Sequence, residues 1–125
     1  MKVVPGIRFQ RVHPRDRSSY KDLSIWVDEE LFGLSRDELA LALKAENIDT
    51  RNYYDPPLHR HQTYRHLMER YQESLPVTDA IAHGALSLPI WSHMPPETVH
   101  RICDALLRIQ QHAPLVREAL PTRSA

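Results

Sequence analysis

A chain of 125 residues, 42% apolar and 26% charged, is long enough for one compact domain with a sizeable core and short for two. Sixteen Lys plus Arg balance sixteen Asp plus Glu, so net charge gives no case for nucleic acid or an anionic membrane surface as the main partner. No apolar run approaches the ~20 residues of a membrane span, and Met1–Gly6 lacks the apolar stretch of a signal peptide. A cytoplasmic location is expected.

The first predicted strand is Ile7–Gln10, followed by a polar loop over His13–Ser19. Tyr20–Val27 alternates, with Leu23, Ile25 and Val27 on one face and Trp26 on the other, as in a half-buried strand. Ser35-Arg36-Asp37-Glu38 is a capping box, in which serine hydroxyl and glutamate carboxylate satisfy each other's backbone N–H groups. It opens a helix predicted over Arg36–Glu46, with Leu39, Ala42 and Leu43 on one face and Asn47 as a left-handed stop. A strand is expected over Thr50–Tyr54 and ends at Asp55-Pro56-Pro57, because proline has no donor for the ladder.

A helix over Thr63–Gln72 is read from Tyr64, Leu67, Met68 and Tyr71. Asp79–His83 reads as a short helix stopped by Gly84, and Leu86–Ile90 as a strand. Pro95-Pro96-Glu97 starts the last helix, since proline suits a first turn. Its stripe is Val99, Ile102, Cys103, Leu106 and Ile109, which predicts a buried Cys103. One cysteine forms no internal disulfide. Residues 1–113 then form one domain, and 114–125 a flexible tail. This order predicts an α+β fold: a small, mostly antiparallel sheet covered by helices.

The segment Ile48-Asp49-Thr50-Arg51-Asn52-Tyr53-Tyr54-Asp55-Pro56-Pro57-Leu58-His59 gathers an Arg, two Tyr and a His around a rigid turn. Arg51 can fork onto a phosphate or carboxylate, or sit in a surface ion pair. Tyr53 and Tyr54 would alternate across a strand, one in the core and one, Tyr53, toward a cleft. His59 can hydrogen-bond a hydroxyl or move a proton near neutral pH, or be an exposed loop histidine. His59, His61 and His66 lack the spacing and the cysteine of a zinc set, so no metal is expected. Trp26 and Trp91 read as packing residues, and His93 as a second-rank site candidate.

Three pieces together carry a family resemblance: Ser18–Ile25 with Phe32–Leu39, Ile48–His59 with Arg60–Tyr64, and Leu86–Ile90 with the last helix. In this order the chain, from Pro5 to His112, resembles the C-terminal small domain of the DegT/StrS-type sugar aminotransferases. Those enzymes have fold type I and depend on pyridoxal phosphate (PLP). The resemblance implies nucleotide-linked keto-sugars as substrates. It implies Arg51, Tyr53 and His59 as the residues that approach the sugar nucleotide. It places the Schiff-base lysine, the pyridinium partner and the phosphate cup in a separate large domain.

The candidate lysines here are Lys2, Lys21 and Lys44, none with a shielded setting in the sequence, and no Gly-rich turn offers a phosphate cradle. The chain alone is therefore expected to bind no PLP and to carry no catalytic residue. A large PLP-binding domain or aminotransferase subunit is its expected partner, with apolar surface that also favours self-association. The rival reading is a non-catalytic accessory module that binds a full-length aminotransferase or a sugar nucleotide.

Overall fold

The structure is a computed structural model that describes residues 4–64, 66–67 and 75–121. Strands β1 (Ile7–Phe9), β2 (Leu23–Val27) and β3 (Ala85–Leu88) form one antiparallel sheet in the order β1-β2-β3. Ile7 faces Val27 across the first pair, and Ile25 faces Leu86 across the second. The helices are α1 (Glu29–Phe32), α2 (Arg36–Ala45), α3 (Pro76–Gly84), α4 (Pro96–Gln111) and α5 (Ala113–Ala119). The α+β class expected from the sequence is the class observed.

Among the described residues the core is one apolar cluster. Ile25 and Val27 of β2 and Leu86 and Leu88 of β3 pack with Leu39 and Leu43 of α2 and Ile102, Leu106 and Ile109 of α4. Alternation therefore assigned the β2 faces correctly: Trp26 lies on the other side, where its Nε1–H donates to the Ala80 carbonyl of α3 (3.2 Å). In β3, by contrast, all four residues are buried. Ser87 escapes an unsatisfied burial by pairing its hydroxyl with that of Ser24 at 2.7 Å.

Local chemistry starts and stops the helices. Ser35 and Glu38 make both halves of the capping box on α2. Asn47 takes φ +60° just beyond its end, and the Ile48 amide returns to the Leu43 carbonyl (2.9 Å). Gly33 closes α1 at φ +91°. Pro76 and Pro96 occupy the first turns of α3 and α4.

Several expectations are corrected. Thr50–Tyr54 is no strand: only Arg51 bridges to Ser87, because the chain turns away at Tyr53 and Tyr54. Neither tyrosine enters the core; they are 41% and 73% exposed. Cys103 is exposed, since it lies about a quarter turn round α4 from the buried face made by Ile102, Ala105, Leu106 and Ile109. Trp91, 52% exposed, is not a packing residue.

The segment after Pro114 is helical through Ala119 rather than frayed, because proline fits a helical first turn and the helix is tied down. Ala113 is buried against the core, and Arg117 binds the carboxylates of Glu29 and Glu38. The four-residue α1 follows an Asp28 cap absent from the sequence reading. Most of the helix expected over Thr63–Gln72 lies outside the described residues; Thr63 and Tyr64 fall in a 3₁₀ turn, Gln62–Tyr64.

Candidate functional site

The loop from Asp49 to Arg60 begins as a rung on the free edge of β3. The Arg51 amide donates to the Ser87 carbonyl (3.0 Å), and the Ser87 amide donates back to that of Arg51 (2.8 Å). This backbone pair fixes the Arg51 Cα and leaves its side chain outside. The guanidinium donates to Asp49 Oδ2 (2.7 Å) and to the Thr50 carbonyl (3.3 Å) in an exposed setting. An exposed pair of this kind holds its arginine weakly, so a stronger anion can displace the aspartate. Arg51 shares an open cleft of about 630 Å³ with Lys44, Thr50, Asn52 and Leu41.

Beyond Asn52 the two tyrosine rings lie against each other, centroids 5.2 Å apart and tilted by 39°. The Tyr53–Tyr54 and Asp55–Pro56 peptide bonds are cis. Pro57 is buried and turns the chain into a 3₁₀ helix at Leu58–Arg60. His59 is half-buried there, with Nε2 3.0 Å from Asp79 Oδ1 on α3. The aligned hydrogen bonds to that carboxylate come from Arg60, through Nε (2.7 Å) and Nη2 (2.8 Å). The fork from Arg60, aided by the nearby His59, holds the Asp79 carboxyl below the usual aspartate range.

Arg51, Tyr53 and His59 therefore sit on one loop, but Arg51 alone of the three lines the cleft beside α2. The sequence reading missed two residues that fasten this loop. In the sequence Asp79 marks only the start of a helix. Arg36 belongs to the capping-box motif, yet it is 4% exposed and binds the loop carboxylate Asp55. No periodicity marks an arginine for burial, since charged residues are buried only when paired. The signal that remained was Asp55 itself, the one acid between Arg51 and Arg60.

The lysines bear on the cofactor that the resemblance implies. Lys21 is exposed and pairs with Asp22 at 2.9 Å. That hydrogen bond raises its pKa and keeps it protonated. Lys44 is exposed on α2. A Schiff-base lysine needs a shielded, neutral amine, so the described residues do not fit a PLP anchor. Among the described residues no group of three or more His, Cys, Asp or Glu could hold a metal ion. No helix among them is long and apolar enough to cross a membrane.

Comparison with known proteins places this architecture. The chain is similar to dTDP-4-amino-4,6-dideoxy-D-glucose transaminase of Escherichia coli, with 32% identity over 107 residues, 86% of this chain and 29% of that protein. It is similar to GDP-perosamine synthase of Vibrio cholerae, with 31% identity over 88 residues, 70% of this chain and 23% of that protein.

The crystal structure of DesI in the presence of its TDP-sugar product superimposes with a TM-score of 0.79 at 26% identity, covering 93% of this chain and 29% of DesI. DesV of S. venezuelae, solved in complex with a ketimine intermediate, gives 0.71 at 27% identity, covering 86% of this chain and 27% of DesV. The chain thus spans less than a third of the length of these relatives. Residues 1–107 match the sequence model of the DegT/DnrJ/EryC1/StrS aminotransferase family. The chain belongs to that family.

Proposed function

We propose that this chain is the small-domain portion of a PLP-dependent aminotransferase acting on nucleotide-linked keto-sugars, and that it forms one wall of the substrate cleft. The observation that carries this reading is the Arg51–Arg60 loop. It lies within the family match, and it displays an arginine and two tyrosine rings in contact at the surface, with a half-buried histidine beside them, while its backbone is fastened from inside. The dTDP- and GDP-sugar names of the relatives support the substrate class.

In this reading Arg51 forks onto a phosphate, Tyr53 offers a ring face, and His59 hydrogen-bonds the sugar or nucleotide. The transamination chemistry belongs to a lysine-bearing large domain, because Lys21 and Lys44 are both exposed. The chain alone does not transaminate. Its partner is that large domain, and exposed apolar side chains such as Val77, Ile81 and Trp91 suit such a contact.

Titration of the ¹⁵N-labelled chain with dTDP-glucose tests the substrate reading. Saturable amide shifts at Arg51, Asn52 and His59, weakened by Arg51→Ala, are expected. No saturable change at millimolar nucleotide would overturn it. An absorbance titration with PLP tests the division of labour: no saturable Schiff-base band is expected. A band lost in Lys21→Ala or Lys44→Ala would show that this chain anchors the cofactor itself.

A further inference from the structure

Arg36 is the one charged side chain among the described residues that is almost wholly withdrawn from water. It leaves the first turn of α2 and enters the junction of α3 and β3. There Nη1 donates to the carbonyls of Ala82 (3.3 Å) and Ala85 (3.4 Å). Nε lies 2.7 Å from Asp37 Oδ1, at ion-pair distance without hydrogen-bond alignment. Nη2 donates to the carboxylate of Asp55, which is itself 41% exposed.

Burying a guanidinium is expensive, and a well-packed apolar side chain of similar volume is often at least as stable. The arrangement therefore calls for an explanation in what Arg36 holds. It holds the middle of the loop. Asp55 follows the two tyrosines directly and precedes Pro56-Pro57, so fixing its carboxylate fixes the rings on one side and the turn on the other. The same guanidinium binds the Ala85 carbonyl of β3, the strand whose Ser87 pairs with Arg51. Loop middle and loop start are thus referenced to one strand, the middle through the Arg36 side chain and the start through the Arg51–Ser87 backbone pair. The far end is tied separately, through His59 and Arg60 to Asp79.

We infer that Arg36 and Asp55 are a positioning pair that sets the Arg51–His59 loop in the geometry with which it meets a sugar nucleotide, without touching that ligand. The inference rests on the substrate-facing reading above, and its test separates the two. A planar fork reaching two carbonyls and a carboxylate is a task for arginine and not for lysine. Without the pair, the loop keeps its two end fastenings and loses the middle one.

The test uses the full chain and Asp55→Asn, whose partly exposed site spares the core; Arg36→Lys is the companion variant. A charge-assisted hydrogen bond of this kind supports an effect of about tenfold. Backbone amide order parameters at Asn52, Tyr53 and Tyr54, from ¹⁵N relaxation, are expected to fall from the rigid range to below about 0.6, with Ile25 and Val27 of β2 unchanged. The dissociation constant for dTDP-glucose is expected to rise about tenfold. Ile109→Val on α4, which loosens the core far from the loop, should leave that constant unchanged.

Unchanged loop order parameters in Asp55→Asn overturn the inference. So does a fall spread equally over β2, or an equal affinity loss in Ile109→Val, because each marks a general structural role. A loosened loop in a chain that binds no dTDP-glucose at all supports the pin and sinks the substrate-facing reading.

Discussion

Gly84→Ala should damage the seat of α3 on the sheet, and with it the helix that carries Asp79. Gly84 ends α3 directly over the indole of Trp26. A Cβ there would lie 2.4 Å from Trp26 Nε1, 2.8 Å from Cδ1 and 2.9 Å from Cε2. Three atoms of one rigid ring are struck together, so the ring must move as a body. It is held by its hydrogen bond to the Ala80 carbonyl (3.2 Å) and lies under the Arg8 guanidinium, 4.9 Å from the ring centroid.

Overpacking of this kind costs about 1–3 kcal/mol, and breaking the indole hydrogen bond costs about 1 kcal/mol more. Helix propensity returns at most about 1 kcal/mol. A net loss of about 1–3 kcal/mol follows. Urea unfolding in a Trp91→Phe background, where Trp26 is the sole indole, should show a midpoint lower by about 1 M. The native emission should also shift to the red. Unchanged stability with unchanged Trp26 emission would refute the close approach of ring and helix.

Acid should weaken the α5 tether. The Arg117 fork, with further bonds at the capping box, holds the Glu38 carboxyl below the usual glutamate range. A lowered folded pKa means stability fully present above the unfolded value and lost as pH falls through the folded one. Stability measured at neutral pH and again near about pH 3 should therefore fall less in Arg117→Met than in the wild type; parallel curves would argue against the tether.

Ser35→Ala removes the acceptor for the Glu38 amide. It should cost about 1 kcal/mol in urea unfolding, and a neutral result would mean the capping box is not formed in solution. Asp79→Asn should free the 3₁₀ turn at Leu58–Arg60, read as faster amide exchange at Arg60 and His61. Exchange no faster than in the wild type would show that the turn holds without its carboxylate.

Much of the framework is legible in the chain because it depends on neighbours in sequence. The capping box at Ser35–Glu38, the stop at Asn47 and the prolines opening α4 are local chemistry, and each is found where the residues place it; α3 instead begins at Pro76, ahead of the Asp79 start expected from the sequence. The period of two over Leu23, Ile25 and Val27 likewise chose the core face of β2. Periodicity was less informative at element margins. It placed Cys103 on the α4 stripe although the buried face is centred on Ala105 and Leu106. Composition also could not tell the exposed Trp91 from a core tryptophan.

The candidate loop shows the same division. Its residue types, Arg51 through His59, were visible at once and carried the family resemblance. Its conformation was not, because nothing local compels Tyr53 and Tyr54 to leave the strand direction. That geometry comes from partners distant in sequence: Ser87 on β3, Arg36 on α2 and Asp79 on α3. The sequence by itself determined the α+β class, the start and stop of α2, the start of α4 and the family. Only the tertiary structure decided that Arg36 is buried and that the loop is fastened at three points. Capping and alternation are short-range effects, whereas the burial and pairing of a charge depend on which elements pack around it.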